Sequence, residues 1–394
     1  MNNRVLACLS VFVCGIMCSC YSSRDTTNAQ YDIVFGNDNY IAASEIVKER
    51  EIIELDTVKD ALIPNISDYQ IAKDRIYCLS NSNGGFICVF TLSGKFLFRI
   101  DTKGRAAHEW TSLTSMFINE QDNIIALLDG GSRKVLLYDL DGKYIKNVKL
   151  GEYDFNEVAY NKGYIYSATN TGSAGFKLTE ATRYKVNVYD TNGKLVSRII
   201  DDGLNDGVIA LDKLTHFYLK GSTLLYVPTL NNCVYTLDGL NSQNYVEYDC
   251  ISDEKFIEEK NVSELAKIGS YNFGDGEDTF YSNVYAESDQ LVYRRLGYHN
   301  AIDVIYDKQN GKTYRTSFDS FGQNRGRLSE NFLSPPPFLY YKGRFYARPR
   351  LVILSLSEKT LGDNLTDEIR MIRHKIQRGE INNILISYKL SIGK

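Results

Sequence analysis

The chain has one tryptophan and four histidines among 394 residues, and beyond its first twenty residues it has no Cys-x-x-Cys pair. The histidines, at 108, 216, 299 and 374, are scattered, so no ligand set for a structural zinc is offered and no cofactor is implied. Basic runs are missing too. Acidic and basic residues are interspersed at a net charge of -4, which leaves no sequence-independent grip on phosphates and excludes nucleic acid as a partner. Catalytic signatures are equally scarce: there is no Gly-x-Ser-x-Gly elbow, no His-Glu-x-x-His and no Walker phosphate loop. What is plentiful is tyrosine, with 29 residues, and phenylalanine, with 18, side chains that suit a pleated, half-buried surface and bias the chain towards strands.

The first twenty residues stand apart. Arg4 gives a positive start, Val5 to Met17 is apolar, and Ser19 precedes Cys20, the layout of an export signal. The apolar run falls short of the roughly twenty residues that span a bilayer, which argues against a transmembrane anchor. The segment resembles a bacterial lipobox, implying cleavage before Cys20 and lipid on its thiol, with Cys18 as the alternative acceptor. Residues 1–20 are therefore expected to be a lipoprotein signal, and 21–40, polar and aperiodic, a flexible tether. Cys78, Cys88, Cys233 and Cys250 remain in the folded part; Cys78 and Cys88 sit in strand-like apolar runs, and free thiols are expected.

From about residue 41 a unit repeats. A strand ends in a Gly-Lys turn and another strand follows, as at Ser93-Gly94-Lys95, Asp141-Gly142-Lys143, Asn192-Gly193-Lys194, Asp238-Gly239 and Asn310-Gly311-Lys312. Glycine there supplies the positive φ of a hairpin tip. Successive tips lie roughly fifty residues apart, with a wider gap before the last, matching propeller blades with an insertion at about 252–278. Upstream of each tip is a short strand: Arg75-Ile76-Tyr77, Asn123-Ile124-Ile125, Tyr164-Ile165-Tyr166, Thr223 to Tyr226, Gln290 to Tyr293 and, sixth, Arg344-Phe345-Tyr346. Six copies predict an all-β, six-bladed β-propeller spanning 41–394, since a lone blade cannot bury both faces whereas a ring can. One stretch breaks the pattern. Apolar residues at 365, 369, 372 and 376, with Gly379 beyond, predict a helix over 363–378, inserted before a closing strand at 383–390. A strand near Ile52 to Leu55 is expected to share the blade of that closing strand and so join the chain ends.

The run Ser93-Gly94-Lys95-Phe96 through Gly104-Arg105-Ala106-Ala107-His108-Glu109-Trp110 resembles the Gly-Lys-Phe … Gly-x-Gly-Pro-Gly-Glu-Tyr segment of six-bladed β-propeller lipoproteins related to NHL-repeat proteins, common in gut anaerobic bacteria. Asn383 through Leu390 is similar to that family's closing segment. Ala106-Ala107-His108 departs from its Gly-Pro-Gly. The resemblance, over roughly Ile46 to Leu390, implies the fold and an outer-membrane lipoprotein, on the periplasmic side or the cell surface, of a family mostly without assigned activity.

Few residues suggest chemistry. Ser252-Asp253-Glu254-Lys255 matches Ser-x-x-Lys without its companion motifs, and Asp275-Gly276-Glu277-Asp278 lacks the alternation of a calcium loop and reads as solvated. Arg105, His108, Glu109 and Trp110 form the densest mixed group, in a segment connecting blades, where binding residues collect. An aromatic plane with polar flanks suits a sugar or peptide; alternatively Trp110 packs between blades and His108 faces water. The expected function is a noncatalytic binding or scaffolding module for a glycan, a peptide or an envelope protein, held to the membrane by lipid. The alternative is a hydrolase or lyase, to be recognised by His, Asp and Glu converging on the channel mouth.

Overall fold

The computed structural model describes residues 29–36, 39–151, 157–168, 184–201, 216–229, 231–250, 281–296, 302–318, 332–349, 351, 354, 357, 361 and 365–393. Six sheets, each with an antiparallel four-stranded core, make a six-bladed β-propeller. Blade 1 comprises Asp68–Ala72, Arg75–Ser80, Phe86–Thr91 and Phe96–Ile100, and blade 2 Leu113–Asn119, Ile124–Asp129, Lys134–Tyr138 and Tyr144–Lys149. Blade 3 comprises Glu157–Asn161, Tyr164–Ala168, Tyr184–Asp190 and Leu195–Asp201. Blade 4 follows with Phe217–Lys220, Thr223–Tyr226, Cys233–Asp238 and Asn241–Cys250, and blade 5 with Tyr281–Glu287, Leu291–Leu296, Ile302–Asp307 and Lys312–Thr316.

The first strands of blades 1, 2, 4, 5 and 6 line the central channel, and each predicted short strand is the second of its blade. Burial explains why those strands were legible. Ile124–Asp129 is buried along its whole length, because it has a blade on either face, while outer Tyr144–Lys149 is half-buried or exposed at all but Val148. Such doubly covered strands read as continuous apolar runs rather than as alternation.

All five repeat glycines turn between third and fourth strands with φ of 59–84°. The Asp of the repeat shapes the same turn: Asp190 Oδ1 accepts from the backbone N–H groups of Asn192 (2.8 Å) and Lys194 (3.0 Å), and these bonds hold its carboxyl below the ordinary range. Tip and neighbouring blade also touch. A Cβ on Gly193 would lie 2.1 Å from the carbonyl oxygen of Lys149, at the end of blade 2, so both φ and inter-blade packing demand glycine there.

Blade 6 has strands from both chain ends. Leu339–Tyr341, Arg344–Ala347 and Ile384–Leu390 are completed on the outside by Val47–Glu54, with Ile52 opposite Ile386 and Glu54 opposite Ile384. The predicted helix lies over this blade at Asp367–Gln377. It starts later than 363 because Thr366 is its N-cap, its hydroxyl accepting from the Ile369 N–H, and Leu365, Ile369 and Ile372 are buried as the stripe required. Glu368 and Lys375 pair with Arg50 and Glu54 (both 2.6 Å), pinning the helix across the closing strand.

The reading of 21–40 as tether needs correction. Tyr31–Phe35 adds to blade 4 as a fifth strand, parallel to Asn241–Cys250, with Ile33 and Phe35 buried. Asn39 and Ile41 then bond to Arg315 on blade 5 before Val47 enters blade 6. The N-terminal segment is thus a belt across three blades, fixed by two inward apolar residues and a ladder of backbone hydrogen bonds. The expected insertion at 252–278, with Ser252–Lys255 and Asp275–Asp278, lies outside the described residues. Cys78, Cys88 and Cys233 are free thiols. Burial pushes the Cys88 thiol up to about 12 and that of Cys233 to about 11, which keeps them protonated and unreactive.

Candidate functional site

Four residues picked out above lie on the connector from blade 1 to blade 2, and the structure divides them. Lys103 and Trp110 pair as a bridge, with the Gly104 N–H donating to the Trp110 carbonyl (2.9 Å) and the Trp110 N–H to that of Thr102 (3.0 Å). The loop so closed is held in shape by a side chain within it. Glu109 does this, its carboxylate accepting from the Ala106 N–H (2.8 Å), and a Cβ on Gly104 would sit 1.9 Å from the same carboxylate. The Gly-x-x-x-x-Glu spacing is therefore a loop-closing device that survives the replacement of Gly-Pro-Gly by Ala-Ala-His.

Trp110 is fully buried between blades 1 and 2; its indole N–H donates to the Gly85 carbonyl (3.0 Å) and its ring meets Tyr138 edge-on. It presents no plane to solvent, so of the two readings the packing one describes its position. Arg105 is exposed on the loop, and His108, about half exposed, stands edge-on to Tyr144 at 6.0 Å.

Beside His108 opens a cleft of about 690 Å³, walled by Lys59, Asp60, Arg99, Asp101, Tyr138 and Tyr144. Its floor is rigid. The Arg99 guanidinium lies 3.6 Å over the Phe86 ring and pairs with Asp101 (2.6 Å), and the Tyr138 hydroxyl donates to the His108 carbonyl (2.8 Å). The Asn147 amide holds the Ala107 carbonyl (2.9 Å). Tyr144 and His108 thus stand at the cleft as aromatic rings where Trp110 does not, beside the cations Lys59 and Arg99 and the carboxylates Asp60 and Asp101. Lys59, Asp60, Tyr138 and Tyr144 come from segments far from 105–110 in sequence, so no local motif marked them.

The channel is different. Its cavity is only about 100 Å³, lined by Tyr69, Phe117, Phe217, Tyr218, Tyr285 and Tyr340. Its polar groups stitch blades together: the Gln70 amide donates to the Met116 carbonyl (2.7 Å) and accepts from the Ile118 N–H (2.8 Å), and the Tyr69 hydroxyl donates to the Tyr346 carbonyl (3.1 Å). Glu157, His216 and Thr229 do converge, with Nδ1 of His216 2.6 Å from the Glu157 carboxylate and Nε2 3.0 Å from the Thr229 hydroxyl. The order resembles a charge relay. Yet exposure of the three is at most 5%, and Glu157 also accepts the His216 backbone N–H (2.7 Å), so both imidazole nitrogens are engaged in a seam between blades 3 and 4.

A family model described as a domain of unknown function, DUF4934, matches residues 28–387. Among solved structures, the chain is similar to that of a Bacteroides fragilis protein inferred to be exported, with 16% identity, coverage of 92% of this chain and 100% of that one, and a TM-score of 0.70. A member of the DUF4221 family from Bacteroides vulgatus is 9% identical over 89% of this chain and 98% of its own, with a TM-score of 0.52. At these identities the likeness concerns fold. No curated protein matches the chain.

Proposed function

The chain belongs to the DUF4934 family, and from that premise and the geometry above we propose that it is an exported, lipid-anchored binding module that does no chemistry and holds a polar ligand in the cleft between blades 1 and 2. The observation that carries this reading is the contrast between two places. In the channel the polar side chains named above are consumed in stitching blades, whereas the cleft is roomy, rigid-floored and edged by exposed His108, Lys59 and Asp60. A cleft of that volume admits a ligand the size of a short oligosaccharide. Tyr144 and His108 offer edges to a sugar face, and Arg99 and Asp101 offer donors and acceptors to hydroxyls. A glycan is therefore the ligand we favour.

Export and anchoring rest on Arg4, the apolar run to Met17 and Cys20, in keeping with the inferred export of the Bacteroides fragilis neighbour. In a bacterial host, metabolic labelling with a fatty acid marks the wild-type protein and is lost in Cys20→Ser; label retained in that variant moves the acceptor to Cys18 or removes the anchor from the account.

A glycan array with a peptide arm tests the cleft. Wild-type protein is expected to retain a set of related glycans, and Tyr144→Ala or His108→Ala to weaken them at least tenfold without changing the melting temperature by more than a few degrees. Retention of peptides alone changes the ligand class. Binding indifferent to both substitutions would place the site elsewhere.

A further inference from the structure

The channel's other end, where first strands turn into second strands, holds a charge cluster that joins blades 4 and 5 and lies apart from the cleft. Glu287 ends the first strand of blade 5, and its side chain is 2% exposed. Its Oε1 accepts from Lys220 Nζ (2.6 Å), from the Tyr245 hydroxyl (2.7 Å) and from Lys308 Nζ, and its Oε2 from the Tyr285 hydroxyl (2.6 Å). Burial works against the carboxylate, but these bonds outweigh it and hold its pKa below the ordinary value; burial likewise pushes the Lys308 ammonium down. Among the described residues two ammonium groups thus share one carboxylate, a surplus of one positive charge around a buried Glu287 and Lys308. Such an imbalance is costly unless an anion completes it.

Access is one-sided. Lys308 is 8% exposed, lies 5.3 Å from the ring of Tyr31 in the belt and gives a second bond to the Ser288 carbonyl (2.6 Å). Lys220 is 32% exposed and lines the channel cavity. Its Nζ donates to Glu287 and to the Tyr245 hydroxyl, leaving the third N–H of the ammonium without a partner among the described residues. The cavity beside it, about 100 Å³, is far smaller than the cleft of about 690 Å³. Its walls towards blades 1, 2 and 6 are apolar at Ile71, Phe117, Ile118 and Leu339.

We propose that this end of the channel binds one small monocarboxylate with a short apolar tail, its carboxylate on Lys220 and its tail between the channel's apolar walls. One surplus cation matches one monoanion, and the third N–H of the Lys220 ammonium is a charge-assisted donor for its carboxylate. The site is separate from the cleft and does not depend on it.

Isothermal titration of the purified protein with sodium butyrate, against sodium phosphate and sodium chloride at constant ionic strength, is the test. Wild type is expected to show one saturable butyrate site, Lys220→Arg to keep it within a few-fold, and Lys220→Met to weaken it at least tenfold. Should Lys220→Met not fold, footprinting of wild-type lysines by reductive methylation gives the same answer, with butyrate slowing modification of Lys220 selectively. No saturable butyrate binding, tighter binding of phosphate, or labelling of Lys220 unaffected by butyrate overturns the proposal.

Discussion

A chain beginning at residue 56 does not fold cooperatively, whereas one beginning at residue 43 does, a few kcal/mol less stable than the whole. The first deletion removes Val47–Glu54, the outer strand of blade 6. With it go the buried side chains of Ile53 and Leu55, half-buried Val47 and Ile52, and the ladder to Ile384–Leu390. At about 1.5–3 kcal/mol per fully buried aliphatic side chain and about 1 kcal/mol net per hydrogen bond, the loss is on the order of 10 kcal/mol. Typical domains have only 5–15 kcal/mol in total. The helix would also lose Arg50 and Glu54, its partners across the strand, and Ile384–Leu390 would become a bare apolar edge prone to pairing with other chains. The second deletion removes the belt alone, chiefly Ile33 and Phe35, or about 3–6 kcal/mol by the same scale. Thermal melts followed by circular dichroism, with gel filtration, separate the cases. A sharp transition near the wild-type midpoint for the chain starting at 56 would show that the ring closes without its N-terminal strand.

That deletion pair also marks where sequence reading succeeds and where it stops. The second strands were legible because burial on both faces forces a continuous apolar run, and the tips because their positive φ favours glycine, at Gly94 and Gly193 also because a neighbouring blade's backbone lies against the turn. Five tips but six second strands are recorded in the chain, and the difference is the closure itself: blade 6 takes its outer strand from the N-terminus, so it has no third-to-fourth hairpin to mark. The belt escaped notice for a physical reason. Tyr31–Phe35 has just two inward residues, and its partner lies about two hundred residues away, so neither period nor proximity shows it. The candidate site was half legible: the connector was found from its mixed chemistry, but Trp110 turned inward, and Tyr144, Arg99 and Lys59 joined His108 only through folding. The cluster of Lys220, Glu287 and Lys308 has no local signal at all, since three separate hairpins deliver it.

Asp129→Asn is expected to cost about 2–4 kcal/mol at pH 7, and the difference from wild type is expected to shrink in acid. Asp129, fully buried at the end of the second strand of blade 2, gathers five donors: the N–H and hydroxyl of Thr111 (3.1 and 3.0 Å), the N–H groups of Ser112 (3.0 Å) and Gly131 (3.2 Å), and the Ser132 hydroxyl. Through Thr111 and Ser112 it fixes the chain that leaves Trp110 for the inner strand, and through Gly131 and Ser132 the next hairpin, so one carboxylate sets two segments of the same loop end. Asparagine keeps a single acceptor oxygen and turns an NH₂ towards donors, leaving buried groups unpaired, each at about 1–3 kcal/mol. Burial by itself would raise the Asp129 pKa, but the bonds from Ser132, Ser112 and Thr111 outweigh it and the folded value lies below the ordinary one. A depressed folded pKa means that the contribution is complete above the unfolded value of about 4 and is lost as pH falls through the lower folded value. Asparagine does not titrate, so the wild-type advantage should be full at pH 7 and smaller at pH 3. Urea denaturation of both proteins at the two pH values measures it. An asparagine variant as stable as wild type at pH 7, or a difference of the same size at both, would show that the five donors find partners without the charge.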